Sequence, residues 1–139
     1  MNDNPTMDIR VDAESNFIEL TVFGIIRITD FEQLPARLIA TEGFTRNMNS
    51  LIDLRNAKFD SNTEDMERVA AMFLSSQIER GHSFRTALLV KDDLSFGLCR
   101  MLAVELEQVP IHAFVTKSYD DACEWVARPN ESLESSESA

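Results

Sequence analysis

Met7, Ile9 and Val11 alternate with polar residues, the period of a strand with one face buried. After turn residues at Glu14-Ser15-Asn16, the run FIELTVFG places Phe17, Glu19, Thr21 and Phe23 on one face and Ile18, Leu20 and Val22 on the other. The two runs predict an antiparallel hairpin. The following IIRI extends its second strand beyond Gly24, through a bulge. The period then becomes helical, with Phe31, Leu34, Leu38 and Ile39 on one side. Thr29 stands as the N-cap, Glu32 completes a capping box and Gly43 suits the position just past the end. Pro35 lies beyond the first turn, where it removes a backbone hydrogen bond, so a kink or a later start is expected.

MNSLIDL predicts a short buried strand, and residues 61–80 a helix with Met66, Val69, Ala70, Phe73 and Leu74 on one face, closed by Gly81. FRTALLV is too continuously apolar for a surface position and predicts an interior parallel strand. A helix over 95–107 aligns Leu98, Leu102 and Leu106. VPIHAFVT is the last strand, with Pro110 at its start as an edge allows. Ser118 caps a final helix, YDDACEWVA, whose acidic first turn suits the helix dipole. The order ββαβαβαβα predicts one α/β domain with a mixed, mainly parallel sheet of about five strands and four helices. The domain covers residues 8–127, between a disordered N-terminus (1–7) and a disordered acidic tail (128–139). That tail ends in NESLESSESA, with glutamates, no base and almost no apolar side chain.

Charge narrows the list of partners. A net charge of −11 over 139 residues argues against nucleic acid and anionic membrane surfaces, which are bound largely through Lys and Arg. No apolar run approaches the ~20 residues of a membrane span, so stable insertion is not expected. MNDNPTMDIR lacks the basic-then-apolar pattern of a secretory leader, and Cys99 and Cys123 lack metal-type spacing. These features read as a cytoplasmic protein with free thiols.

Catalytic chemistry is hard to assemble. The glycines, at 24, 43, 81 and 97, form no phosphate-cradling cluster. The strand-to-helix turns FDSNTED, KDDLS and KSYDD are acidic where a phosphate would sit. His82 reads as an exposed connector and His112 as a hydrogen-bonded structural residue in the last strand. Cys99 and Cys123 read as small buried hydrophobes, and Asp92/Asp93 and Asp120/Asp121 as helix-start charges. No catalytic residue, metal site or cofactor is therefore expected. Trp125, the sole tryptophan, reads as packing the last helix onto the sheet or, if exposed, as a docking residue. Ser61 has two readings, a helix cap boxed with Glu64 or a functional hydroxyl beside Asp60.

The strand LIDL, then RNAKFDS, then an amphipathic helix resembles the STAS domains, named for sulfate transporters and anti-sigma-factor antagonists, with their DLS-x-V-x-F-x-D-S-x-G signature. FRTALLV and VPIHAFVTKSYDDACEWV resemble their later strand and their closing strand–turn–helix. Ala122 to Trp125 is similar to the SpoIIAA-like subgroup of small bacterial proteins, which is grouped with SEC14-type lipid-binding folds. The resemblance implies a non-catalytic regulatory or interaction module with a protein partner, possible antagonism of an anti-sigma factor, and phosphorylation at Ser61. Here the loop after Phe59 is one residue short, and S-N-T-E replaces S-x-G-L. The interaction surface is expected at Arg55, Asn56, Lys58, Asp60, Ser61, Asn62 and Arg68. A small apolar ligand or lipid in a SEC14-like pocket is the alternative. A homodimer through an exposed sheet edge is a further expectation.

Overall fold

The computed structural model describes residues 6–60, 67–71, 75, 84–107 and 111–127, without the side chain of Phe31. β1 (Thr6–Asp12) and β2 (Phe17–Arg27) form the expected hairpin, in register from Thr6 opposite Phe23 to Asp12 opposite Phe17. Its turn uses Asn16 at a φ of 55°, and Asp12 Oδ1 accepts the Ser15 N–H at 3.1 Å. β1 already includes Thr6 and Met7, because β2 runs far enough to pair with them.

α1 (Ile28–Ile39) follows β2 without a loop and runs through Pro35. Its start differs from expectation. Thr29 lies inside the first turn, and the Asp30 carboxylate takes the Arg27 N–H at 2.8 Å. An acid one turn in can therefore close the N-terminus without a Ser or Thr cap. The helix also ends before Gly43, at Ala40, where the Thr41 hydroxyl donates to the Arg37 carbonyl at 2.8 Å. Gly43 instead serves the following turn, at a φ of +94° that a side chain would strain.

β3 (Asn49–Asp60), β4 (Phe84–Leu89) and β5 (Ile111–Thr116) complete a sheet of order β1-β2-β3-β4-β5, parallel from β2 onward. Residues 67–71 and 75 are helical between β3 and β4. α2 (Asp93–Leu106) lies between β4 and β5, and α3 (Tyr119–Ala127) closes the fold. α2 begins two residues before the expected Ser95, because Asp92 Oδ1 accepts the Ser95 N–H at 2.8 Å. That bond also holds the Asp92 carboxyl below its ordinary range. α3 is capped as expected, with the Asp121 N–H donating to Ser118 Oγ at 3.2 Å.

The strand alternation divides the interior in two. On one face Ile18, Leu20, Ile52, Leu54 and Leu88 meet Leu34 and Leu38 of α1, Val69 and Ala70, and Leu98, Leu102 and Leu106 of α2. On the other, Phe17, Leu51, Ala87 and Leu89 meet Ala122 and Val126 of α3. Cys99 belongs to the larger core, where burial pushes its thiol up to about 12 and keeps it protonated.

β3 is longer than the predicted strand, since the stretch RNAKFD expected as a loop is paired to β2 through Asp60. Between Thr21–Asp53 and Phe23–Asn56 the register advances two residues in β2 and three in β3. Leu54 and Arg55 therefore share the place opposite Val22, a bulge that reverses the alternation. Leu54 faces the large core before it, and Ala57 and Phe59 face the same core after it. Arg55 and Asn56 are both left exposed.

α3 is fastened to the sheet by a buried polar residue. Asn49 donates from Nδ2 to the Val126 carbonyl at 2.7 Å, and its Oδ1 accepts the Arg85 N–H at 2.8 Å. Asn49→Ala leaves a buried amide and a buried carbonyl without these bonds. It is expected to lower stability by about 2 kcal/mol in chemical denaturation, with a loosened Trp125 environment in near-UV circular dichroism. An unchanged midpoint would show that water replaces both bonds.

Candidate functional site

Beyond the bulge, β2 and β3 continue as a ribbon past the paired part of β4, which ends opposite Asp53. One face of the ribbon is core. On the other, Phe23 stands opposite Asn56, Ile25 opposite Lys58 and Arg27 opposite Asp60. Phe23 is 38% and Ile25 48% exposed. The Arg27 guanidinium lies 4.0 Å from the Asp60 carboxylate.

Beside this surface sits a network of paired charges. Asp53, buried, is held by a fork from Arg55, with Nε to Oδ1 at 3.0 Å and Nη2 to Oδ2 at 2.9 Å. A buried carboxylate requires such pairing, and the bond to Asp53 raises the Arg55 pKa and fixes its charge. The same guanidinium lies 5.3 Å from the centre of the Tyr119 ring. Tyr119 donates its hydroxyl to Glu19 at 3.1 Å, and Arg10 reaches the same carboxylate at 2.7 Å. Arg55 and Asn56, together with Lys91 just after β4, line an open cleft of about 420 Å³ at the C-terminal ends of the parallel strands.

The structure thus brings together some of the predicted residues and separates others. Arg55, Asn56, Lys58 and Asp60 are on β3, as strand residues and not loop residues. Arg68 pairs with Glu32 of α1 at 3.0 Å, on the side of the sheet where Val69 and Ala70 enter the larger core. Ser61 and Asn62 lie outside the described residues, as do His82 and Pro110. Sequence reasoning missed Phe23, Ile25, Glu19, Lys91 and Tyr119 as parts of one surface. The available signal was VFGIIRI, which carries apolar side chains on both faces of a strand when only one can be buried.

Trp125 packs on the sheet, its ring 5.3 Å from that of Phe114 and 4.5 Å from the Arg85 guanidinium. Its indole N–H donates to the His112 carbonyl at 3.3 Å. The expected side-chain bond of His112 is not seen, since its Nε2 is buried with no hydrogen-bond partner among the described residues. Among the described residues no three His, Cys, Asp or Glu side chains form a metal-holding group, and no helix is long and apolar enough to cross a membrane.

A mixed sheet wrapped in this order, with a closing helix on its second face, is a SpoIIAA-like, STAS-like fold. Among solved structures, the chain is similar to an uncharacterised protein of the DUF3478 family from Shewanella loihica PV-4, itself described as having a SpoIIAA-like fold. The TM-score is 0.54 at 19% identity, over 91% of this chain and 98% of that one. At this identity the likeness is one of fold. No protein-family model matches the chain, and neither does any curated protein.

The Tyr119 phenol is pushed up to about 12 by the neighbouring Cys123 side chain, by burial and by the Glu19 carboxylate to which it donates. The folded state therefore holds this proton where an unfolded chain, titrating near 10, has lost it. Its stabilising contribution is complete below about pH 10 and disappears as pH rises through about 12. Tyr119 is the sole tyrosine, so tyrosinate absorbance reads it directly. A midpoint near 12 is expected while circular dichroism shows a folded chain, moving down toward 10 in Glu19→Gln. A folded protein titrating at the unfolded value would contradict the arrangement.

Proposed function

We propose that this protein is a non-catalytic, STAS-like interaction module that binds a protein partner on the bare face of the β2–β3 ribbon. The observation that carries this reading is the pair Phe23 and Ile25, exposed side by side on a sheet face and flanked by Arg27, Arg55, Lys58 and Lys91. Adjacent exposed apolar side chains cost hydration that a partner would recover. The rim mixes cations with the carboxylates of Asp53 and Asp60 that Arg55 and Arg27 already meet, which suits charged contacts at the margin of an apolar centre. The site also lies at the C-terminal ends of parallel strands, where α/β folds place ligands.

A regulatory version of the proposal adds phosphorylation of Ser61, next in the chain to Asp60 at the rim of this face. A phosphate there brings nearly two negative charges close to Asp60, which Arg27 already meets, and makes this end of the ribbon locally negative. Anti-sigma-factor antagonism would be one use of such a switch. Among the described residues, the clefts at Arg55–Lys91, Glu32–Arg68 and Asp121–Trp125 carry charged side chains, so these three favour the lipid alternative less.

Affinity capture from the source cell with wild type, Ile25→Asp and Lys58→Glu tests the surface. Both side chains are exposed, so thermal midpoints should move by little while partner recovery falls about tenfold or more. Equal recovery by all three proteins would remove the surface reading. Loss of the partner in Ser61→Asp but not in Ser61→Ala is the outcome expected of the switch. Identical behaviour of the two would eliminate it.

A further inference from the structure

β5 forms the other edge of the sheet, with no strand beside it among the described residues. The Val90 N–H donates to the Thr116 carbonyl at 2.9 Å, so Thr116 points its backbone toward β4. Backbone groups two residues apart point the same way, which turns those of His112 and Phe114 inward as well. Ile111, Ala113 and Val115 therefore present their N–H and C=O groups outward. Between Pro110 and Lys117 in the sequence, the strand IHAFVT itself carries no Lys, Glu, Asp or Pro of the kind that blunts a sheet edge.

A cleft adjoins this edge. Phe114 of β5 and Asp121, Glu124 and Trp125 of α3 line an opening of about 200 Å³. The three helix residues lie at i, i+3 and i+4, one face of α3. Two aromatic rings and two carboxylates suit a cationic side chain, attracted to the ring faces as well as to the charges. The Trp125 ring already stacks with the buried Arg85 guanidinium at 4.5 Å, so the chain itself shows a guanidinium resting against this ring. An incoming cation meets the remaining Phe114, Asp121 and Glu124 side of the opening. The net charge of −11 draws basic partners and opposes pairing with a second copy of the chain.

We propose that β5 accepts an extended, basic peptide segment of a partner protein as a sixth strand, with an Arg or Lys seated between Phe114, Trp125, Asp121 and Glu124. Main-chain bonds to Ile111, Ala113 and Val115 supply affinity that is indifferent to sequence. The cleft supplies the preference for a basic residue opposite Phe114. This surface is separate from the ribbon face at β2–β3, and each can fail without the other.

Trp125 is the sole tryptophan, so its fluorescence reports occupancy directly. The probe is a blocked peptide of alternating Val and Thr with one central Arg, compared with the same peptide carrying Glu, an alternately N-methylated version and free arginine amide. The Arg peptide is expected to give a saturable change that weakens with salt. Affinity should fall about tenfold or more on N-methylation and in an Asp121→Asn, Glu124→Gln double variant with unaltered thermal unfolding. Equal binding of the Glu peptide would overturn the proposal, as would equal affinity for free arginine amide, which would leave a cation cleft without strand addition. A stable dimer of the unliganded protein, dissociated by a β5 edge variant such as Ala113→Pro, would also overturn it by placing a second copy on the edge.

Discussion

The extra residue in β3 decides what the rest of the molecule can present. With uninterrupted alternation after Leu54, Asn56, Lys58 and Asp60 would face the larger core, and Ala57 and Phe59 would face solvent. Two charges would then be buried without partners, at a cost far above that of a bulge. Setting Leu54 and Arg55 together against Val22 corrects the phase, so Ala57 and Phe59 rejoin Ile26 in the core. The same correction aligns Lys58 with Ile25 and Asn56 with Phe23 on the open face. The ribbon is therefore both a continuation of the core and the support for an exposed surface.

The bulge also sets the charge network beside it. Arg55, turned outward, reaches back to Asp53 through two side-chain bonds, and its guanidinium comes to rest near the Tyr119 ring. Tyr119 in turn contacts Glu19, which Arg10 holds from β1. These contacts link β1, β2, β3 and the first turn of α3 on the side of the sheet where the apolar core is small. Packing there is limited to a few residues such as Leu51, Ala122 and Val126. Polar contacts of defined geometry and the Asn49 bonds fix the position of α3 where apolar area is scarce.

Much of the architecture was legible from periodicity alone. The alternation in Phe17–Phe23 separated the two cores correctly, and the continuous apolar run Ala87-Leu88-Leu89-Val90 marked an interior strand covered on both faces. The second half of β3 was illegible for a definite reason. Across a bulge the inward residues fall three apart, Leu54 to Ala57, and RNAKFD then has neither a strand nor a helix period. The helix starts were misplaced for another reason. Asp30 and Asp92 close their helices from positions that the Ser/Thr rule does not single out. The candidate surface was half visible, because Arg55, Asn56, Lys58 and Asp60 were expected at the end of a parallel strand while Arg27 and Lys91 were not. Its apolar half, Phe23 and Ile25, was absorbed into a strand assumed to be buried.

The acidity of the chain acquires a spatial meaning once these elements are placed. Arg27, Arg55, Lys58 and Lys91 stand at the C-terminal end of the parallel strands, three of them on or beside the β2–β3 ribbon. Asp121 and Glu124 stand over β5 at the other edge of the sheet. A uniform negative surface would repel acidic partners everywhere and attract basic ones without preference. The cations and exposed aliphatic side chains of the β2–β3 ribbon and the acidic, aromatic-lined cleft beside β5 instead give two surfaces of different chemistry on one sheet. Salt acts on both, and the ribbon surface also carries the exposed aliphatic area of Ile25, whose contribution does not depend on screening. The binding proposed at these two surfaces should therefore respond differently to ionic strength, through the physical difference between Ile25 beside Lys58 and Phe114 beside Asp121.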